Sequence, residues 1–500
     1  MSRGALLQLI AKGEIDNFLI DSNSNKNSIF NNVVKKITNF SQVPVSYYPD
    51  SANTWGDNIR FTIKKIGDLL TTMYLVLELP ALSVEDIDMI PRQNEKNSEY
   101  RIKWNDYIGN LIVENVIFKI GGQKIDEMTG EYMQFHTELY DTTWSKLCLI
   151  GHEPVLNAPQ YKIDKQFIYI PFRFFFCDDI SKALPIVALE YHEIEIEVKL
   201  RNWEDLYLVL KEIYINDNCE KIYDKNDKNN KNDKNDKNDK NNKNDKNDKN
   251  DKNDCDRTIS KINFLHTCEK IKFKKYNNIR LDCNTIFLDA PERKEVVKKR
   301  HEILITQTQK LISHCATKDS IYLNFTNPIK ELIFAFQNRK YYNLGEIYNF
   351  SGKPKYIPHT INGIKVEEIT ESLWNSIPDK HLLDFMNIEF DGIERVPVRD
   401  YKYWHFVQNY ENYRTKIDHN LYMYNFGIST KNNMGSCNFS MLDTVKLNIK
   451  LADLSSYYYN KNVDNKILIG HCHKTMIKMY GNNYNILVIE SGMGGLMFTI

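Results

Sequence analysis

Apolar and polar residues alternate with period 2 along most of this chain, the signature of β-strands with one face buried. In HEIEIEVKL, Ile194, Ile196, Val198 and Leu200 point one way while Glu193, Glu195, Glu197 and Lys199 point the other. The run NVIFKIGGQKID places Val116, Phe118 and Ile120 on one face. Gly121-Gly122 follows, where positive φ carries no steric cost, so the chain is predicted to reverse there in a tight hairpin. Further strands are expected at 58–63, 73–79, 166–176, 284–288, 320–325, 331–336, 421–427, 444–451 and 485–489, which are β-branched and aromatic and often bounded by Gly, Pro, Asn or Asp.

Helical signals are few: residues 3–12; a stretch from Pro291 to about Thr308, with Asp289 as cap and Glu295 four residues before Lys299; and a third near Val366 to Met386. Many strands, few helices and no βαβ rhythm predict an all-β, antiparallel protein of sandwiches or barrels. Two sandwiches of ordinary size account for most of the 500 residues.

One segment breaks the pattern. Asp224 to Asp254 contains only Lys, Asn and Asp, with Lys at every third position, ten Lys against nine Asp. Such a run has nothing to bury, and Asn and Asp are poor helix formers, so disorder is expected. An Asp stands between most of its lysines, which weakens any reading as a nucleic-acid ladder.

Composition narrows the function. The chain has 66 Lys+Arg against 66 Asp+Glu, and 42% of its residues are hydrophobic. That supports sizeable cores and argues against a protein whose main work is coating polyphosphate, which needs a surplus of cations. Nine cysteines are scattered without a C-x-x-C pair, the usage of a reducing compartment. No apolar run reaches the roughly 18 residues needed to span a bilayer, and the apolar part of the start is too short for export, so a soluble cytosolic protein is expected. Ser2 rules out the N-myristoylation pattern.

The chemistry-bearing residues form no complete constellation. Glu193, Glu195 and Glu197 lie on one strand face, where paired carboxylates could act as acid and base on a glycoside, but a half-buried strand has the same alternation. His471 and His473, with Cys472 between them, share a strand face as two zinc ligands could, yet no second ligand pair accompanies them and Cys437 is a loose candidate. Ser491-Gly492-Met493-Gly494-Gly495 resembles a phosphate loop, but no helix follows to supply N-terminal amides, so a bend into a final strand is expected. N-x-[ST] triplets begin at Asn39, Asn324, Asn349 and Asn438 and, without an export signal, are expected to stay unmodified. No catalytic, cofactor-binding or metal-binding residues are assigned, and no cofactor is expected.

Several long segments nevertheless carry a resemblance. GALLQLIAKG (4–13), FTIKKIGDLLTTMYLVLELP (61–80), IGGQKIDEMTGEYMQ (120–134) and IPFRFFFCDDISKALPIVALEYHEIEI (170–196) resemble, in this order, the major capsid proteins of nucleocytoplasmic large DNA viruses. The second half continues with IFLDAPERKEVVKKRHEILITQTQ (286–309), IYLNFTNPIKELIFAFQ (321–337), MGSCNFSMLDTVKLNI (434–449) and NYNILVIESGMGGL (483–496). The resemblance implies two tandem eight-stranded antiparallel jelly rolls: an N-terminal segment 1–25, a first roll 26–290 carrying the insertion 224–254, a connecting segment 291–310 and a second roll 311–500. It also implies a non-enzymatic structural protein whose homotrimers form pseudo-hexagonal capsomers and tile an icosahedral capsid. Expected partners are the chain itself, neighbouring capsomers, minor capsid and penton proteins and inner viral membrane proteins, with no direct nucleic acid. Synthesis and assembly are expected in host cytoplasm. Two alternatives stay open: a scaffold or minor capsid paralogue with the same fold, and, more distantly, a carbohydrate-binding or carbohydrate-active sandwich. The N-terminal segment, with Leu6, Leu7, Leu9 and Ile10, is either a tether under the capsomer or a helix packed on its own roll.

Overall fold

The computed structural model describes residues 37–51, 54–88, 100–140, 144–153, 157–214, 262–315, 317–356, 360–361, 364–365, 381–417, 419–428, 435–452 and 475–498. The expected helix at 3–12, the Lys/Asn/Asp tract and His471 to His473 lie outside these residues.

Sixteen strands carry two sandwiches. The first comprises β1 (Phe40–Tyr47), β2 (Asn58–Ile63), β3 (Leu69–Leu79), β4 (Val113–Ile120), β5 (Gln123–Thr129), β6 (Gln166–Pro171), β7 (Ile194–Leu200) and β8 (Asn277–Leu288). The second comprises β9 (His301–Cys315), β10 (Lys318–Tyr322), β11 (Pro328–Asn338), β12 (Leu383–Phe390), β13 (Ile393–Asp400), β14 (Leu421–Asn425), β15 (Val445–Leu451) and β16 (Thr475–Glu490). The first pairs its strands in the orders β1-β8-β3-β6 and β2-β7-β4-β5; the second repeats them as β9-β16-β11-β14 and β10-β15-β12-β13. Adding eight to every strand number converts one sandwich into the other. All the ladders are antiparallel, and both sandwiches are jelly rolls.

Local chemistry explains the turns. Gly121 and Gly122 both take positive φ (57° and 79°), closing a two-residue hairpin between Ile120 and Gln123. The glycine-rich segment near the C-terminus does the same: Ser491 (52°) and Gly492 (79°) turn β16 back into a short strand, Met493–Leu496.

Two helix expectations are corrected. The helix after the first roll, α2, covers only Ala290–Lys298, capped by Asp289, whose carboxylate accepts from the Ala290 amide at 2.8 Å. The chain then enters β9, whose residues His301 to Cys315 pair with β16 without a break, because the alternating β-branched residues Ile303, Ile305 and beyond fit a pleated ladder. Residues 301–310, expected in the connecting segment, therefore belong to a strand. The stretch 366–386 likewise ends in a strand, β12, and its residues 366–380 lie outside the described part.

The two rolls stand side by side with the same polarity. Long connections leave β3, β5 and β7 at one end, the far end; the tight turns, the connections from β6 to β7 and from β14 to β15, and α2 lie at the other, the base. At the base, His192 of the first roll bonds Gly494 through Nδ1, and the Tyr191 amide donates to the Gly492 carbonyl at 2.9 Å. At the far end, His266 lies 2.7 Å from Glu346, and Lys355 reaches Asp106 at 2.5 Å.

Between them lies a buried seam. Along β11, Leu332, Phe334 and Phe336 enter the second roll's core, while Ile333 and Ala335 join a core shared with the first roll. A strand buried on both faces reads as a continuous apolar run, as IFAF does here.

Candidate functional site

The element that joins the rolls is α1 (Gly130–Tyr140), which directly follows β5. Thr129 prepares its first turn by accepting from the Tyr132 amide at 3.3 Å. Gly130 is required for close approach: a Cβ there would run into the carbonyl oxygens of Asn110 and Val113. Glu131 and Glu138, seven residues apart, fall on one side of the helix, with Gln134 between them.

Three carboxylates are fixed on this seam. Glu131 pairs with Lys478 of β16, lies 3.2 Å from Lys310 of β9 and accepts from the Tyr480 hydroxyl at 3.0 Å. Burial alone would raise its pKa, but the two lysines hold it down at about 2. Glu138 binds the His419 ring and accepts from the Gln134 amide at 2.8 Å; its pKa is also lowered, His419 outweighing burial. Glu331 of β11 accepts from Tyr140 at 2.5 and 2.6 Å, from Tyr413 at 2.5 Å and from Asn482 at 2.6 Å. Its burial is outweighed by nearby Lys330 and these donors, so it too stays ionised. Buried charges are tolerated when paired and fully hydrogen-bonded, and they fix one docking of roll on roll.

Asp126 of β5 differs. One carboxylate oxygen accepts from the amides of Glu127 (2.9 Å) and Thr308 (3.3 Å), while the other is buried without a partner. Burial pushes its pKa up to about 8, so it sits protonated at the seam near neutral pH.

The residues singled out in the sequence do not converge. Glu195 and Glu197 share Arg60 at 3.8 and 3.4 Å, and Glu197 also meets Lys119 at 2.6 Å, so cross-strand cations hold these carboxylates. Glu193 is exposed at the entry to β7. Cys437 is half-buried, its thiol pKa raised by burial. Asn349 is buried, donating to Glu346 at 2.6 Å and to the Lys353 carbonyl at 2.9 Å. Among the described residues no three His, Cys, Asp or Glu side chains form a metal set. The far-end cleft beside Asp106, Glu346 and Lys355 is internally satisfied: Glu346 accepts from His266, Asn349 and the amides of Lys355 and Tyr356.

The outer rims, by contrast, are open. β13 pairs on one side only, with β12, and exposes Ile393 (74%) and Val398 (57%). Pro397 within it removes one backbone donor, a common feature of edge strands.

Rolls of repeated strand order, a locked seam and open rims describe a building block, and the comparisons with known proteins agree. Residues 28–232 match the family model described as major capsid protein N-terminus, and residues 292–495 match that of the large eukaryotic DNA virus major capsid protein. The chain belongs to this capsid protein family. The capsid protein is 22% identical to the major capsid protein of Phaeocystis pouchetii virus and 23% identical to that of Paramecium bursaria Chlorella virus 1, each alignment covering 99% of both chains. It shares the fold of the PBCV-1 virus capsid, with a TM-score of 0.66 and 20% identity over 95% of this chain and 100% of that one. As a member of the family, the capsid protein is a structural component of a virus shell. The seam residues were not recognised in the sequence, because each is an ordinary polar residue until the topology brings it to its partner.

Proposed function

We propose that three copies of this capsid protein form a stable homotrimer whose six jelly rolls make a pseudo-hexagonal capsomer, and that these capsomers tile an icosahedral shell. The observation that carries this reading is the repetition of one strand order in two rolls of equal polarity, joined by a buried seam. Such a chain offers two similar wedges, and a threefold arrangement of pairs closes a ring of six. Neighbouring capsomers, minor capsid and penton proteins and inner viral membrane proteins are its partners; nucleic acid is not. The chain is no enzyme, takes no cofactor or metal, and is made and assembled in host cytoplasm. Its units are the segment 1–25, a first roll ending near 290, a connection centred on α2, and a second roll to 500.

Light scattering on the purified protein tests the trimer, since interfaces of obligate assemblies commonly bury more than about 2,000 Å² and survive dilution. The expected mass is three times 59.0 kDa, and a stable monomer at micromolar concentration overturns the proposal. Presence in purified mature particles separates a shell component from a scaffold that is later discarded.

A further inference from the structure

We propose that β13 and the helix that follows it dock on the rim formed by β1 and β8 of a second copy of this chain, repeating between chains the seam that joins the two rolls within one. The contact presupposes the homotrimer and names the surfaces that meet in it. Within the chain, β5 and α1 of the first roll meet β9 and β16 of the second. Gln307 of β9 donates to the Ile125 carbonyl, the Thr308 amide donates to Asp126 at 3.3 Å, and Lys310, Lys478 and Tyr480 converge on Glu131. The strand orders of the two rolls differ only by eight, so β13 holds the place of β5. A helix, α3, made of two successive segments, Tyr403–Val407 and Asn409–Tyr413, follows β13 as α1 follows β5. Counting on by eight from β9 and β16 runs past the last strand and arrives at β1 and β8 of another chain. The seam joins unlike surfaces, and a contact of that kind repeats head to tail until a ring closes.

What the seam covers, its counterparts leave bare. Ile125, Asp126 and Met128 of β5 are buried, whereas β13 buries only Val396. Helix α3 is held to its own roll along one side, where His405 bonds the Leu421 carbonyl through Nδ1 at 2.6 Å and Gln408 accepts from the Asn425 amide at 3.3 Å. Its Phe406 (52%), Val407 and Tyr410 (77%) are exposed. The rim shows the same contrast. In the β9–β16 ladder, Leu311 lies opposite Met479, Ile303 opposite Leu487 and His301 opposite Ile489, all on one face. Met479 enters the second roll's own core, while Leu487 and Ile489, nearer the base, join the core shared with the first roll. Lys310 and Tyr480, a pair on the opposite face, reach the first roll as well, so that roll wraps both faces of the ladder. The β1–β8 ladder is divided in the same way without the cover. Tyr47 and Leu281 lie opposite each other in the core; toward the base, Val43 and Phe287 on that same face and Phe40 (51%) on the other are exposed. An edge bare on both faces is what β9 would be without the first roll, and the aromatic and β-branched side chains of β13 and α3 suit it.

The test is light scattering on the full-length protein and its variants. Wild type is expected at three times the mass of one chain. Phe406→Asp with Tyr410→Asp, and Phe40→Asp with Phe287→Asp, should each give monomer, and because all four side chains are exposed, far-UV circular dichroism should stay that of wild type. Tyr322→Asp, a change at an equally exposed aromatic on β10 outside the contact, should stay trimeric. Mixed in equal amounts, the two double variants should associate into pairs, because each keeps the half that the other has lost, while neither pairs with itself. Where an aspartate pair loses its strand spectrum, alanine at the same positions carries the test, with a rise of roughly tenfold or more in the concentration at which the trimer half-dissociates. A monomeric wild type overturns the trimer and this contact together. A trimeric wild type whose folded double variants stay trimeric overturns the contact alone, as does loss of the trimer in Tyr322→Asp or failure of the mixed variants to pair.

Discussion

Glu131 of α1 and Lys478 of β16 form an ion pair across the seam in which both side chains are almost wholly buried, although 347 residues separate them in sequence. Removing one partner leaves the other as an uncompensated buried charge, which typically costs about 3–5 kcal/mol. Glu131→Gln should therefore lower stability by about that amount. Combining it with Lys478→Met should recover much of the loss, since a matched apolar replacement of a buried pair is often close to neutral. Guanidinium titrations of Glu131→Gln, Lys478→Met and the double variant check both statements, and a double variant no better than the worse single one would count against the pair.

Asp126 makes stability depend on pH in the opposite sense from its neighbours. Its pKa of about 8 lies above that of an unfolded aspartate, about 3.9, so between these values the folded state holds a proton that the unfolded state has lost. Stability should fall as pH rises through this window, by up to about 1.4 kcal/mol per unit. Glu131, held near 2, contributes stability that is present above about pH 4.3 and lost as pH falls toward its folded value. Melting temperatures from pH 5 to 9 should decline in wild type and run flatter in Asp126→Asn; parallel curves would remove Asp126 from this role.

Glu331 depends on four donor contacts from three side chains. Glu331→Gln turns an amide donor toward hydroxyls that already donate, and should cost about 2–4 kcal/mol. Tyr413→Phe removes one charge-assisted bond and should cost less, about 1.5–3 kcal/mol. Chemical denaturation with a tryptophan fluorescence readout orders the two.

Gly130→Ala should be among the most damaging single-methyl changes in the chain, because the added carbon meets two backbone carbonyls rather than a side chain that can move. Soluble yield and trimer mass report the outcome, and a fully stable variant would show that α1 can shift away from Asn110 and Val113.

Deleting residues 224–254 should leave the trimer intact. The strand segments on either side, Tyr207–Tyr214 and Ile262–His266, pair with each other in register from Leu210 opposite His266 to Tyr214 opposite Ile262, so a shorter connection still joins adjacent ends. Closure entropy changes by only about 0.6 kcal/mol per doubling of loop length. Light scattering on the deletion protein decides it.

Strands were legible in the sequence wherever one face meets water, as in β7, because alternation then has something to report. Helix α1 was missed: residues on every side of it are buried, so it shows no single apolar stripe, and only Thr129 before a run of helix formers hinted at its start. The reach of α2 was overestimated, since RKEVVKK favours helix while the next residues are claimed by a fifteen-residue ladder that no local propensity reveals. The seam was invisible for a related reason. Glu131, Glu138 and Glu331 look like surface residues until a second roll covers them.

Closure of β1 against β8 also sets a timetable for the nascent chain. Ser46 and Asp282 bond each other at 2.6 Å across that ladder, yet 236 residues separate them. At about 5–20 residues per second, a ribosome needs on the order of 10–50 s to deliver the second after the first. Throughout that interval β1 lacks its neighbour and β3 shows one bare edge, an invitation to pair with another chain in a cell making many copies. The last long stretch translated before relief arrives includes a run of Lys, Asn and Asp, residues with little tendency to join a sheet.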